Sequence, residues 1–144
     1  MASQQPRPNQ HSRTRSDHAT EVAEDYVEAI SGITAETGSC RAVDLAKQFD
    51  VSHVTVNRTI GRLQRDGFVV SEPYGPVQLT AKGKRLAKIA RERHDIVYRF
   101  LRSLGVSEQA AAVDSEGIEH HVSPETLSAM RAFLVNQALA PNED

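Results

Sequence analysis

The sequence has little of what secreted and membrane proteins usually carry. Cys40 is the only cysteine, so no intrachain disulfide can form, and a lone thiol is typical of a reducing compartment. No apolar run approaches the ~20 residues that span a bilayer, and the first residues lack the apolar segment of a signal peptide. We therefore expect a cytoplasmic protein with no membrane association.

Aromatic residues are also scarce. They make up 5% of the 144 residues, and tryptophan is absent. The hydrophobic content of 39% must therefore come mainly from aliphatic side chains, which favours a mainly helical core. A chain of this length allows one domain or two small lobes.

Positive charge is nearly absent from two regions of the chain and concentrated in a third. Residues 21–40 hold five acids and no Lys or Arg, and residues 103–144 hold seven acids and one Arg. Residues 41–102 hold 13 Lys or Arg against six acids. A basic middle between acidic flanks favours a polyanion-binding segment joined to a cation-binding one. The alternative is a chance distribution of charge over a solvated surface.

Periodicity and capping residues predict a short arm, six helices and one hairpin, with Ser52 as the N-cap of the third helix and Gly67 closing that helix. Residues 1–18 are polar, weakly basic and contain two prolines, so we expect them to be disordered. The predicted helices span about 19–37, 42–49, 53–66 and 81–104, a fifth follows Ser107, a sixth begins at Ser123-Pro124, and strands over 68–70 and 77–79 form the hairpin.

The order of helix, tight turn, helix and hairpin is typical of a winged helix-turn-helix, which binds DNA. In the third helix Val56, Ile60 and Leu63 form an inward stripe. Its opposite face presents Arg, Thr and small residues, which suits the major groove. The hairpin would be the wing, and the basic residues just beyond it suit contacts with phosphates. The predicted DNA contacts are Ser52, His53, Val54, Thr55, Arg58, Arg62, Arg65 and Lys84. The alternative is a helical scaffold with an incidental or protein-binding surface.

A second group of polar residues lies near the C-terminal end. On a helix, Glu116, Glu119 and His120 occupy positions i, i+3 and i+4, so that they share one face. Carboxylates at this spacing repel each other, and a divalent cation would relieve the repulsion, because carboxylate and imidazole are ordinary ligands of first-row metals. The alternative is a solvated acidic helix face.

Two other helices offer further ligands. Asp25 and Glu28 lie three residues apart on the first helix, and His94 interrupts an apolar stripe on the fourth. A lone histidine on such a stripe is more often a core residue, but packing of the first, fourth and fifth helices would bring His94 toward both acidic pairs. Carboxylates in an apolar core are costly without a counter-ion. The candidate metal ligands are Asp25, Glu28, His94, Glu116, Glu119 and His120.

The composition of this ligand set bears on the identity of the metal. It contains four carboxylates, two imidazoles and no thiolate, which makes a hard, oxygen-rich site. Mn(II) suits such a site, and Fe(II) is a competitor because its ligand preferences overlap those of Mn(II).

Four segments together resemble the diphtheria-toxin-repressor family of metal-dependent winged-helix repressors, in particular its manganese-sensing members. They are residues 25–28, 52–67, 93–94 and 116–121, and the resemblance extends over about 19–137. It implies a binuclear manganese site made by the six candidate ligands, hence two Mn(II) per subunit, and a homodimer formed through the C-terminal helices. The chain departs from the family at Val54, where a proline is common, and it is too short for an additional SH3-like domain.

The sequence therefore predicts a mainly α protein, with a winged helix-turn-helix over 19–80 and a helical metal-binding and dimerisation lobe over 81–140. The predicted function is non-enzymatic. A manganese-responsive regulator binds a palindromic operator in double-stranded DNA as a homodimer and represses manganese uptake. Three alternatives stay open: an iron(II)-responsive regulator, a metal-independent winged-helix regulator, and a di-metal enzyme. The last is disfavoured because the chain lacks a His-Glu-x-x-His and a Glu-x-x-His motif.

Overall fold

Six α-helices and one two-stranded hairpin make up the computed structural model, which describes residues 10–139, with side chains from residue 18 onward. The mainly α class and the winged helix-turn-helix order predicted from the sequence are both confirmed. The elements are α1 Gln10–Thr37, α2 Ala42–Phe49, α3 His53–Arg65, β1 Val69–Ser71, β2 Val77–Leu79, α4 Ala81–Ser103, α5 Glu108–Ile118, a 3-10 turn Glu119–His121, and α6 Pro124–Leu139.

The chain divides into two units between Ala87 and Lys88, within α4. The predicted boundary at residue 80 lies one residue before α4 begins. As a division of function between DNA and metal binding, it stays a prediction. No helix of the described residues is both long and apolar enough to cross a bilayer.

The first helix is longer than predicted. We expected residues 1–18 to be disordered, but α1 begins at Gln10, so residues 10–18 are helical. The last proline before α1 is Pro8, and extending an existing helix needs no new nucleation, so polar residues without a helix breaker can continue it. The rest of the predicted arm, residues 1–9, lies outside the described residues.

Local capping determines where α3 begins and ends. The hydroxyl of Ser52 accepts a hydrogen bond from the backbone N–H of Thr55 at 3.2 Å, which satisfies one of the free donors at the helix start. After the last turn, Gly67 adopts a φ of 82°, a left-handed conformation that favours glycine. Both caps were predicted from the sequence.

The core of the first unit is aliphatic, with one aromatic pair. Val56, Ile60 and Leu63 of α3 are buried, as predicted. The rings of Tyr26 and Phe49 stack with their centroids 4.5 Å apart. Apolar residues of α1, α2 and both strands complete the same cluster, which holds α3 with its opposite face toward solvent.

The start of α4 is fastened to the end of α3 within the first unit. The hydroxyl of Thr80 donates a hydrogen bond to the carbonyl of Gly67 at 2.6 Å. The ammonium of Lys82 donates to the carbonyl of Asp66 at 2.7 Å. Both acceptors follow the last residue of α3, so these bonds stabilise the orientation of the first turn of α4 relative to α3. We call α3 the recognition helix, because it carries most of the predicted DNA contacts.

A glycine allows this close approach. A Cβ on Gly83 would lie 2.1 Å from the carbonyl oxygen of Phe68, well inside van der Waals contact. Any side chain at this position would therefore push α4 away from the residues that follow α3. We call the contacts of Thr80, Lys82 and Gly83 the α3–α4 joint.

The helices of the second unit begin at predicted caps. The hydroxyl of Ser107 accepts from the backbone N–H of Ala110 at 3.2 Å, and that of Ser123 accepts from Thr126 at the same distance. Phe100 of α4 and Phe133 of α6 meet edge to face, with centroids 5.4 Å apart. Within the described part of the chain, α6 has no buried residue.

Candidate metal centre and DNA-binding surface

The second unit brings together three of the predicted metal ligands. The carboxylate of Glu119 is buried, with 2% of the residue exposed. Its Oε2 lies 3.3 Å from Nδ1 of His94, and its Oε1 lies 3.5 Å from Nε2 of His120. Nevertheless Oε2 has no hydrogen-bond partner among the described residues. A buried carboxylate therefore lies between two imidazoles with part of its bonding capacity unused.

This arrangement fits a divalent cation. A buried carboxylate without full hydrogen bonding is unfavourable, because its charge has lost solvation and gained too little in return. One carboxylate and two imidazoles are donors that first-row divalent metals prefer. The unsatisfied oxygen of Glu119 beside His94 and His120 is therefore the strongest sign of a metal centre in the described structure.

The local backbone explains why Glu119 faces inward. The α5 helix ends at Ile118, and residues 119–121 continue as a 3-10 turn, a common ending for an α-helix. Val122 is extended, with φ −83° and ψ 126°, and leads into α6. The chain must leave the α5 direction here because a new helix begins two residues later.

The two glutamates of the predicted shared face differ in burial. Glu116 lies on α5 and is exposed, whereas Glu119 lies in the 3-10 turn and is buried. The backbone keeps right-handed helical dihedrals through Ile118 and Glu119, with φ of −64° and −57°, so the turn does not by itself move Glu116 off that face. The structure brings Glu119 and His120 together, and a role of Glu116 in the centre stays a prediction.

Arg93 was missed as a functional residue in the sequence. Its guanidinium Nη1 donates a hydrogen bond to the backbone carbonyl of Glu119 at 3.4 Å. This contact holds the 3-10 turn against α4, next to His94. Its sequence signals are its adjacency to that candidate ligand and its place in the segment 93–94, which resembles the family.

The two predicted ligands of the first unit lie on α1. Asp25 and Glu28 are each half-buried and stand three residues apart on one helix. Their neighbour Glu24 is buried, which the sequence did not predict. Convergence of Asp25 and Glu28 with the ligands of the second unit stays a prediction.

The only cysteine is unsuited to metal binding. Burial, with a smaller contribution from the charge of Asp44, raises the pKa of the Cys40 thiol to about 11. Metals bind the thiolate rather than the thiol, so this side chain is a poor ligand near neutral pH. The absence of sulfur from the metal centre stays a prediction.

The predicted DNA contacts lie at the start of α3 and along its outward side, apart from Lys84, which lies on α4. The buried stripe of α3 faces the core, so the opposite side is open to solvent. The hydroxyls of Ser52 and Thr55 lie 3.1 Å apart and share a hydrogen bond at the helix start. All eight predicted contacts are exposed: Ser52, His53, Val54, Thr55, Arg58, Arg62, Arg65 and Lys84.

Comparison with known proteins bears on both sites. Residues 18–77 match the N-terminal DNA-binding domain of the iron-dependent repressors, and residues 80–144 match their metal-binding and dimerisation domain. The transcriptional regulator MntR of Escherichia coli is 47% identical over 121 residues, which cover 84% of this chain and 78% of that protein. The chain belongs to the iron-dependent repressor family. The match to the DNA-binding domain of that family precedes the match to its metal-binding and dimerisation domain along the chain.

Other relatives support the same assignment. The HTH-type transcriptional regulator MntR of Bacillus subtilis is 38% identical over 104 residues, which cover 72% of this chain and 73% of that protein. A solved manganese-dependent transcriptional repressor in complex with manganese is 30% identical, with a TM-score of 0.69 over 78% of this chain. The manganese regulator SloR, at 24% identity and TM-score 0.69, supports the fold alone. This chain spans about half the length of those two solved proteins, 52% and 53% respectively.

Proposed function

We propose that this iron-dependent repressor homologue is a Mn(II)-responsive transcriptional repressor that limits manganese uptake in the cytoplasm. The observation that carries the proposal is the buried Glu119 carboxylate between His94 and His120, with an oxygen that lacks a hydrogen bond. The relatives named MntR and the solved manganese complex support the choice of metal.

The proposed ligands come from three segments of the chain. His94 of α4 and Glu119 and His120 of the 3-10 turn form one group, and we propose that Asp25 and Glu28 of α1 complete it. When bound, a divalent cation would neutralise these carboxylates and link the segments that carry them. Glu116 is the sixth candidate, and its exposure predicts a smaller contribution to affinity than that of Glu119.

The donor set favours Mn(II) and leaves Fe(II) as the second candidate. Four carboxylates and two imidazoles are enough ligand groups for two ions per subunit, which is the number that the family resemblance implies. Cys40, which is fully buried in the core of the first unit, is not part of the proposed ligand set. Selectivity then depends on coordination geometry and metal availability, because Mn(II) is the weaker binder of the two.

The α3–α4 joint supplies a route from the metal ligands to the recognition helix. His94 lies on α4, and the start of α4 is bonded to the end of α3 through Thr80 and Lys82. A metal bound at His94 would restrain α4. Because the first turn of α4 is hydrogen-bonded to the residues that follow α3, this restraint would also act on α3. In a homodimer this would hold two recognition helices at the spacing of adjacent half-sites of a palindromic operator, about 34–36 Å.

Thermodynamic linkage makes the proposal testable from either side. If the DNA-competent form binds metal more tightly, then DNA must raise the affinity for metal by the same factor. Selection from random double-stranded DNA with Mn(II) present first supplies a probe. Fluorescence anisotropy of the full chain is then measured with Mn(II), anaerobic Fe(II), Zn(II), Ca(II) or a chelator. We expect tight binding with Mn(II) and weak binding with the chelator.

An isosteric variant and a matched control complete the experiment. Glu119→Gln removes the buried charge, whereas Glu92→Gln removes an exposed one whose carboxylate lies 4.0 Å from Lys88 on the surface of α4. Only Glu119→Gln should abolish the response. Equal DNA affinity with and without chelator would instead identify a metal-independent regulator. A stronger response to Fe(II) than to Mn(II) would identify an iron sensor.

A further inference from the structure

The tip of the wing contains a tyrosine in a conformation that side chains rarely adopt. The backbone N–H of Gly75 donates to the carbonyl of Glu72 at 2.9 Å and closes a four-residue turn. Pro73 occupies the second position and Tyr74 the third, where φ is 60°. A turn with proline second and a positive φ third is type II, and its third position normally holds glycine or asparagine.

The Tyr74 side chain contributes no buried surface to the fold. The Tyr74 side chain is fully exposed, so no packing inside the chain offsets the cost of its left-handed backbone. Glycine follows directly at position 75, where a Cβ would lie 3.3 Å from the carbonyl oxygen of Glu72. An unfavourable backbone together with an unpacked aromatic ring indicates that the ring acts on something outside the chain.

The rest of the structure holds the tip in place. Nη1 of Arg41 donates a hydrogen bond to the carbonyl of Tyr74 at 2.8 Å, across 33 residues of sequence. The backbone N–H of Val77 donates to the carbonyl of Cys40 at 2.7 Å, immediately beside that arginine. Two neighbouring residues thus hold the backbone of the wing at its tip and at the start of β2, so the point from which the ring projects is defined.

The tip also lies beside the recognition helix. One cleft is lined by Asn57, Gly61 and Gln64 of α3 and by the wing loop, including Tyr74. Arg41 lines the same cleft. A duplex that receives α3 in its major groove would therefore present its adjacent backbone to the wing tip.

The charge of the tip decides which part of DNA it suits. Glu72 is an exposed acid next to Pro73 and offsets the positive charge of Arg41, so the tip has little net attraction for phosphates. An aromatic ring between two prolines is instead suited to the apolar faces of deoxyribose along the minor groove. We propose that Tyr74 contacts the sugars next to each half-site and that Arg41 positions it. This rests on the proposed DNA-binding function.

The test uses opposite effects on stability and binding. Tyr74→Gly relieves the left-handed backbone, so we expect the thermal midpoint to rise or stay level. We expect DNA affinity at saturating Mn(II) to fall about tenfold per dimer, as for the loss of two modest aromatic contacts. Because no charge is lost, the dependence of affinity on salt should not change, unlike the effect of losing a phosphate contact.

Control variants separate the ring from the backbone and from Arg41. Tyr74→Asn tolerates the same φ and should lose the same affinity, whereas Tyr74→Phe keeps the ring and should bind nearly as well as the wild type. Arg41→Gln should weaken binding less in the Tyr74→Gly background than in the wild type, since a positioning residue matters only while the ring is present.

Several results would overturn the inference. A thermal midpoint that falls in Tyr74→Gly would mean that the fold uses the ring. Unchanged affinity in both Tyr74→Gly and Tyr74→Asn would remove the ring from the DNA interface. A shift in dimerisation measured by sedimentation, with unchanged DNA affinity, would assign the ring to a second copy of the chain. Failure of the wild-type chain to bind DNA would count against the proposed function itself.

Discussion

The two units differ in how they bury their apolar side chains and in how their buried charge is hydrogen-bonded. The first unit buries aliphatic side chains of α1, α2, β1 and β2 around α3. It also contains the hydrogen bonds of the α3–α4 joint. The second leaves large apolar side chains exposed, including Val113, Val135 and Leu139, and its last helix has no buried residue among those described. It also buries the Glu119 carboxylate with one oxygen unsatisfied.

This contrast indicates where each unit obtains its stability. A domain normally buries its apolar surface and pairs its buried charges, and a large exposed apolar patch marks an interaction surface. The first unit also exposes apolar side chains, such as Val54 and Val70, but α1, α2, α3 and both strands each bury at least one residue in the common core. The second unit meets neither condition alone, which agrees with a part of the chain that binds a metal and a second subunit. Under the proposed function, metal and partner would act on the second unit, and the predictions below test this.

The largest predicted effect removes the buried Glu119 carboxylate, one oxygen of which has no hydrogen-bond partner among the described residues. In Glu119→Gln, DNA affinity with Mn(II) should fall roughly 100-fold or more, since even loss of a supporting residue around a metal costs 10–100-fold. Without metal, the variant should be at least as stable as the wild type, because the uncompensated buried charge is gone. Thermal unfolding with and without Mn(II), beside anisotropy on DNA, measures both. A less stable apo variant would contradict the argument from burial.

The next prediction concerns the open face of α6. Val135→Asp places a charge on an exposed apolar position, and it should weaken dimerisation by about 3 kcal/mol if that position is covered by the partner subunit. Asn136→Asp adds the same charge one residue away and is the matched control. Sedimentation velocity should show dissociation only for Val135→Asp. Two variants that remain equally dimeric would place the interface on another face.

The α3–α4 joint offers a test of how the first unit responds to the second. Gly83→Ala would introduce a Cβ 2.1 Å from the carbonyl oxygen of Phe68, so the start of α4 must shift. We expect a loss of stability of about 2–3 kcal/mol from this overpacking. DNA binding should respond less to Mn(II), while the metal itself should still raise the thermal midpoint.

A control glycine lies in open space. Gly32 is in the interior of α1, and a Cβ added there would meet nothing within 4 Å, so Gly32→Ala should stabilise the chain by roughly 0.5–1 kcal/mol. Metal responsiveness should be unchanged in that variant. If Gly83→Ala kept a full metal response in DNA binding, the joint would not be the route between the two functions.

Local features were the ones that could be predicted from the sequence. Ser52, Gly67 and Ser107 act on backbone groups within a few residues, so their roles as caps were correct. The close approach at Gly83 and the bond from Arg93 to the Glu119 carbonyl depend on distant elements, and no local pattern indicates them.

The candidate metal site shows the same limit. The residue types were sufficient to select His94, Glu119 and His120, which the structure brings together. Their geometry was not predicted, because periodicity indicates which residues share a face and not how deeply each one is buried. Glu116 and Glu119 stand three residues apart on a helical backbone, yet only Glu119 is buried.

Within the first unit, Arg58 should contribute to sequence recognition. It is exposed on the outward face of α3, so Arg58→Ala should cost about 1–3 kcal/mol and relax the preference for one base pair per half-site. Binding to the selected DNA and to variants changed at single positions measures both effects. Equal losses on all sequences would indicate a phosphate contact instead.

The smallest predicted effect concerns Lys84, which lies on the first turn of α4 and is exposed. If its ammonium meets a phosphate, Lys84→Ala should weaken binding evenly on all sequences and reduce the salt slope by about 1 per contact, hence about 2 per dimer. Lys88→Ala, one turn further along the exposed surface of α4, removes the same charge and is the matched control. Titrations at several salt concentrations distinguish the two positions. A loss of base preference in Lys84→Ala, with none in Arg58→Ala, would mean that the outward face of α3 does not read the major groove.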